Sequence, residues 1–97
     1  MEVGLDGAPG FTYGIGRLAS PETQAKHPCI VVAPWSTGGG WDAKRLGQLN
    51  SLLDELCKEF PVDQKRIYVT GQSMGGAGTW DLLAAFPKRF AAAIPIY

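Results

Sequence analysis

Ser73 stands in the run GQSMGG (71–76), with glycine two residues before it and at both the second and third positions after it. That spacing suits a serine nucleophile placed on a sharp turn between a strand and a helix. The serine takes a strained backbone conformation so that its hydroxyl stands above the edge of a sheet. Glycines at 71 and 75 let the strand and helix backbones approach without a side-chain clash. The helix that follows then offers the Met74 N–H to a developing oxyanion, with a favourable dipole behind it. The pattern Gly-x-Ser-x-Gly alone is only moderately specific, so its context decides what it is worth.

The flanking residues supply that context. RIYVTG (66–71) is β-branched and reads as a strand, and Ala77 to Phe86 reads as a helix with Trp80, Leu83 and Ala84 on one side. Pro87 ends that helix, and AAAIPIY (91–97) starts a further strand. Upstream, HPCIVVAP (27–34) is a short apolar run bounded by prolines, consistent with a buried strand. STGGGW (36–41) is a loop. Between Asp42 and Phe60 the apolar residues Leu46, Leu49, Leu52, Leu53, Leu56, Cys57 and Phe60 recur at steps of three and four. They describe one face of an amphipathic helix with Asp42 as N-cap and Pro61 as its stop. Residues 1–25 are Gly-rich, with a short strand expected at Met1–Leu5. Gly14, Gly16 and Ala19 match a dinucleotide fingerprint in letters only, because no convincing strand precedes them and Pro21 breaks any following helix. Strands alternating with helices predict an α/β fold with a parallel sheet and flanking helices.

With 97 residues the chain is at most one small domain, able to bury somewhat more than ~60% of its unfolded surface. A hydrophobic share of 45% against 19% charged argues for a globular chain. Nine basic residues balance nine acidic ones without a basic stripe, which disfavours nucleic acid or an anionic membrane as partner. No apolar run reaches the length of a membrane span. MEVGLDGAPG lacks a charged n-region and an apolar h-region, so it does not read as a signal peptide. Location is left open: cytoplasmic by default, secreted if a leader was lost. Cys29 and Cys57 are expected to be buried thiols rather than a disulfide, and with one distant histidine they make no metal site. No cofactor is implied.

VDQKRIYVTGQSMGGAGTWDLLAAFPKRFAAAIPI resembles the central segment of α/β-hydrolase esterases of the phospholipase/carboxylesterase group, including their polyhydroxybutyrate-depolymerase-like and feruloyl-esterase-like relatives. SPETQAKHPCIVVAPW is similar to the preceding strand and the loop leading out of it. The resemblance covers about residues 16–97 and implies a partial α/β-hydrolase core, one domain over 1–97, that cleaves carboxylic esters through an acyl-serine intermediate. It also implies an upstream strand ending in Leu-His-Gly, whose following amide completes the oxyanion hole. Leu5-Asp6-Gly7 stands in that place, so Gly7 or Ala8 would offer the second donor; otherwise these first residues have no structural role. Gly38-Gly39-Gly40 is a further candidate, but it lacks the histidine and follows the wrong strand. Trp35 and Trp41 flank a loop on the serine's side of the sheet and would line an acyl pocket, or simply pack.

The serine needs a base oriented by an acid, and in this family both follow the nucleophile in sequence. No histidine follows Ser73. His27 precedes the 29–33 strand, and six strand residues at ~3.3 Å each put it about 20 Å from the serine's edge. Asp42, Asp63 and Asp81 read as caps or surface charges. Three readings follow: a piece of a longer esterase, a small hydrolase with an unrecognised base, or a homo-oligomer that brings His27 of a second copy to Ser73 and completes the sheet. A non-catalytic interaction or oligomerisation module that keeps the bend for its shape is the rival from another class.

Overall fold

Chain order in the computed structural model is β1 (Glu2–Val3), α1 (Ile15–Leu18), α2 (Pro21–Lys26), β2 (Val31–Val32), α3 (Ala43–Glu59), β3 (Tyr68–Gln72), α4 (Met74–Ala85) and β4 (Ala92–Ile96). The structure describes residues 2–3, 15–36 and 39–97, and it divides into two compact units, Met1–Thr37 and Gly38–Tyr97.

In the first unit, β1 and β2 pair in parallel, Glu2 with Val31 and Val3 with Val32. The strand expected near the N-terminus is present, and the 27–34 run contributes only its two central valines. The helix α2 was not anticipated, although its signals are local. Ser20 is an N-cap whose hydroxyl accepts from the Thr23 N–H at 3.3 Å, Pro21 takes the first turn, and Glu22 sits where the helix dipole favours an acid. Pro21 therefore opens a helix here rather than breaking one. Gln24 clips the unit together: its Nε2 donates to the Leu18 carbonyl at 2.8 Å, and its Oε1 accepts from the Cys29 N–H at 3.0 Å. Cys29 is exposed, not buried as expected, because it lies in the run-in before the two-residue strand. Cys57 is half-buried on α3, and no disulfide joins the two.

The second unit is a strand–helix–strand crossover with α3 beside it. β3 and β4 pair in parallel from Tyr68 with Ala92 to Gln72 with Ile96. α3 forms as its periodicity requires: Asp42 accepts from the Arg45 N–H at 2.9 Å, Leu46 and Leu56 are buried, and Phe60 closes the helix through its N–H to the Leu56 carbonyl. α4 packs on β3 and β4 and covers the face carrying Val69, Gly71, Ala93 and Pro95. The opposite face, with Tyr68 and Ile94 each 65% exposed, is open.

α4 departs from expectation twice. It begins at Met74, three residues early, and it buries Gly76, Gly78, Thr79 and Leu82, while Trp80 is 56% exposed. The physical reason is close approach. Small residues let the helix axis come down onto the sheet, so the contact face is chosen by the absence of side chains rather than by hydrophobic size. Leu82, 2% exposed, then supplies about 1.5–3 kcal/mol of burial at that face. Arg89, in the turn after α4, ties this layer to α3 through Asp54 at 2.5 Å and Asn50 at 3.4 Å.

Asp63 organises the turn that enters β3. Its carboxylate accepts from the Lys65 N–H at 3.0 Å and from Arg66 Nε at 2.9 Å. The Lys65 amide first, and the Arg66 hydrogen bond second, hold this carboxyl below the ordinary aspartate range. A folded pKa below the unfolded one contributes stability above the unfolded value, and that contribution is lost as pH falls through the folded value. Carbon-detected NMR titration should therefore find the Asp63 midpoint lower in the folded chain than in the same chain in urea; an equal or higher midpoint contradicts the assignment.

Candidate active site

Ser73 joins the end of β3 directly to the start of α4, and its backbone sits at φ 56°, ψ −114°. Among the described residues it is the one non-glycine with positive φ. Such a conformation costs a residue with a side chain about 1–3 kcal/mol and persists only where the surroundings impose it. Three contacts do so. The Ser73 N–H donates to the Ile96 carbonyl at 2.8 Å, continuing the β3–β4 ladder one step past the last strand residue. The Ser73 carbonyl accepts from the Gly76 N–H at 2.9 Å and the Ala77 N–H at 3.1 Å, which starts the helix. The chain must therefore leave the sheet and enter the helix within a single residue.

The glycines make that turn possible, though not quite as the spacing suggests. A Cβ on Gly71 would lie 2.2 Å from the Gly75 carbonyl oxygen, so the strand can carry no side chain there. That same carbonyl accepts from the Thr79 hydroxyl at 2.8 Å, fixing the first turn of α4. Gly75 itself faces open space, and Gly76 is the second intolerant position: a Cβ there would lie 2.3 Å from the Ile96 carbonyl oxygen. Ile96 thus both receives the Ser73 amide and sets how near α4 may come. The Gly75-Gly76 pair was visible in the sequence; the partner carbonyl, twenty residues downstream, was not.

Serine at an N-cap ordinarily turns its hydroxyl back onto the helix amides. Ser73 makes no such side-chain bond, and the residue is exposed. Met74 is the first residue of α4, so its N–H has no acceptor four residues back within the helix and lies at the positive end of the dipole. The geometry presents an exposed serine, its hydroxyl not used as a cap, directly before the first amide of the helix.

The other candidates fall as follows. Gly7, Ala8 and Gly38 lie outside the described residues, as does Gly14 of the dinucleotide pattern; Gly16 falls in the four-residue α1. Gly39 and Gly40 take φ +74° and +93° and lead into Trp41. Trp41 is half-buried and seats on α4, its Cδ1 only 2.6 Å from where a Cβ of Gly78 would stand. Trp35 belongs to the first unit and is 52% exposed. His27, also in the first unit, is exposed and caps α2 through its N–H to the Thr23 carbonyl at 2.7 Å. Asp42 caps α3 and pairs with Arg45 at 3.1 Å, Asp63 holds the turn before β3, and Asp81 is exposed on α4. Among the described residues, no three His, Cys, Asp or Glu side chains gather as metal ligands, and no helix is long and apolar enough to cross a membrane.

No family model matches the chain. It is 35% identical over 75 residues to a probable feruloyl esterase C of Aspergillus flavus, covering 73% of this chain and 27% of that one. It is 31% identical over 64 residues to a bifunctional acetylxylan esterase/xylanase of Neocallimastix patriciarum, covering 66% of this chain and 9% of that protein. The crystal structure of a thermostable esterase superposes with a TM-score of 0.72 at 35% identity, over 80% of this chain and 24% of the esterase. The chain thus resembles α/β-hydrolase esterases in sequence and shares their type of fold, a parallel sheet with flanking helices. It spans about a quarter or less of the length of these relatives.

The glycine geometry is directly testable. Gly71→Ala and Gly76→Ala should each destabilise the fold by about 1–3 kcal/mol, as overpacking against backbone does. Gly75→Ala should stay within about 1 kcal/mol of the parent. Urea unfolding of the three variants checks the order, and equal costs at 75 and 76 would contradict the packing described.

Proposed function

We propose that the chain carries the nucleophile of a carboxylic ester hydrolase, with Ser73 attacking the ester carbonyl. The observation that carries this reading is the Ser73 backbone at φ 56°, ψ −114°, combined with a hydroxyl that takes no part in capping α4. Strain at a solvent-facing serine between strand and helix has a use in acyl transfer. The similarity to esterases supports the same reading.

In this mechanism a bond forms between Ser73 Oγ and the acyl carbon. The alcohol leaves with the proton that the serine gives up, and water then cleaves the acyl-serine to the free acid. The Met74 N–H stabilises the oxyanion of both tetrahedral intermediates. No metal or cofactor takes part in these steps. Feruloyl and acetyl esters of carbohydrate, named in the two sequence relatives, are the first substrates to assay.

The general base is not assigned within the chain. His27 is its one histidine and precedes Ser73, whereas this architecture orders acid and base after the nucleophile. The alternative is an interaction module that retains the bend for its shape. A fluorophosphonate probe separates the two by intact mass. The enzyme reading expects one adduct per chain, located at Ser73 by peptide mapping and abolished in Ser73→Ala. A chain left unmodified by excess probe overturns it. Labelling that falls at least tenfold in His27→Gln and depends on protein concentration would assign the base to a second copy.

A further inference from the structure

The register of β3 against β4 places one more residue beside the serine. Gln72 stands opposite Ile96 in this parallel pair, so the next step along the ladder sets Ser73 opposite Tyr97. The hydrogen bond confirms that step: the Ser73 N–H donates at 2.8 Å to the carbonyl of the peptide unit that joins Ile96 to Tyr97. Position 97 therefore stands next to Ser73 at the strand spacing of about 5 Å. Ala93 and Pro95 lie on the face that α4 covers, and alternation turns position 97 to that same side. It is level there with the start of α4, where Gly75 and Gly76 carry no side chains, and Tyr97 is exposed. Met74, directly after the serine, and Ile96, whose carbonyl it bonds, are exposed as well. Residues 67–80 and 90–97 contain no charged side chain. Within this unit, the rim around Ser73 is thus apolar and uncharged, with one aromatic ring on it.

We propose that Tyr97 is a specificity-determining residue at Ser73, its ring packing against an aromatic acyl group beside the scissile carbonyl. The proposal rests on the acyl-serine reading above and narrows its substrate class to neutral esters of aromatic acids. Two rings gain from offset or edge-to-face contact beyond the area they bury, roughly 2- to 12-fold in an equilibrium or rate. An ionised acyl group would lose water at this rim without meeting an opposite charge. A small acyl group such as acetyl would not reach the ring, so Tyr97 separates the two ester types named above.

The test compares two neutral phosphonates, ethyl p-nitrophenyl methylphosphonate and ethyl p-nitrophenyl benzylphosphonate. In each, Ser73 Oγ forms a bond to phosphorus, p-nitrophenolate leaves with the electron pair of its P–O bond, and the serine proton passes to solvent. The quantity read is the benzyl-to-methyl ratio of labelling rates, which cancels changes in the reactivity of the serine itself. Relative to the parent, the ratio should fall about threefold or more in Tyr97→Ala and by less than that in Tyr97→Phe, which keeps the ring. A smaller fall in Tyr97→Ala overturns the proposal, and so does a threefold fall in Tyr97→Phe. Trp80→Ala removes an exposed aromatic ring further along α4; an equal fall there also overturns it, because any surface ring would then serve. If circular dichroism shows that Tyr97→Ala does not fold, Tyr97→Leu decides by the same ratio. A parent labelled by neither probe overturns the acyl-serine reading and this proposal with it, whereas a labelled parent whose ratio ignores residue 97 overturns this proposal alone.

Discussion

The hydrogen bond from the Ser73 amide to the Ile96 carbonyl holds the β3–α4 junction in a shape it would not adopt alone. A left-handed, side-chain-bearing residue costs about 1–3 kcal/mol, and one net backbone hydrogen bond returns only about 0.5–1.5. The bond is therefore insufficient by itself. The close packing around it completes the restraint: a side chain at Gly71 would run into the Gly75 carbonyl and one at Gly76 into the Ile96 carbonyl, so strand and helix meet backbone to backbone on both sides of Ser73. Strand, turn and helix are held as one piece, and the strained residue is the hinge point they share.

The same constraint explains why α4 is built as it is. A helix that must approach a sheet this closely cannot present large side chains at its first two turns, and Gly76, Gly78 and Thr79 are the buried residues there. Bulk is deferred to Leu82, one turn later, where the layers have room for it. Trp80 faces outward, and Trp41 reaches in from the segment before α3 to fill the space that Gly78 leaves. The anchoring of α3 through Asp42, and of the turn after α4 through Arg89 and Asp54, keeps these pieces in register.

Ester hydrolysis needs a hydroxyl that is accessible, an amide that is unused, and a site that does not relax when charge develops. On the reading proposed above, the β3–α4 junction is the segment that supplies those groups. The similarity to esterases of much greater length runs over most of this chain, 66–80% of it.

Much of this was readable from local pattern. The period of three and four predicts α3 with Asp42 as its N-cap and Pro61 as its stop, the β-branched run 66–71 predicts β3, the apolar run 91–97 predicts β4, and glycine spacing around Ser73 predicts the bend. These features are encoded in neighbours along the chain, so a linear reading reaches them. The Ser20-Pro21-Glu22 start of α2 is equally local, but a proline reads as a breaker unless the serine before it is seen to cap. The rest required three dimensions. Which face of α4 is buried, why Gly76 and not Gly75 is the intolerant glycine, and where Trp41 rests all depend on carbonyls and side chains far away in sequence. Hydrophobic periodicity pointed to Trp80, Leu83 and Ala84 because it weighs size, whereas the packed helix selects for smallness at the point of closest approach. Only the meeting of backbone with backbone, across twenty and more residues, decides that choice.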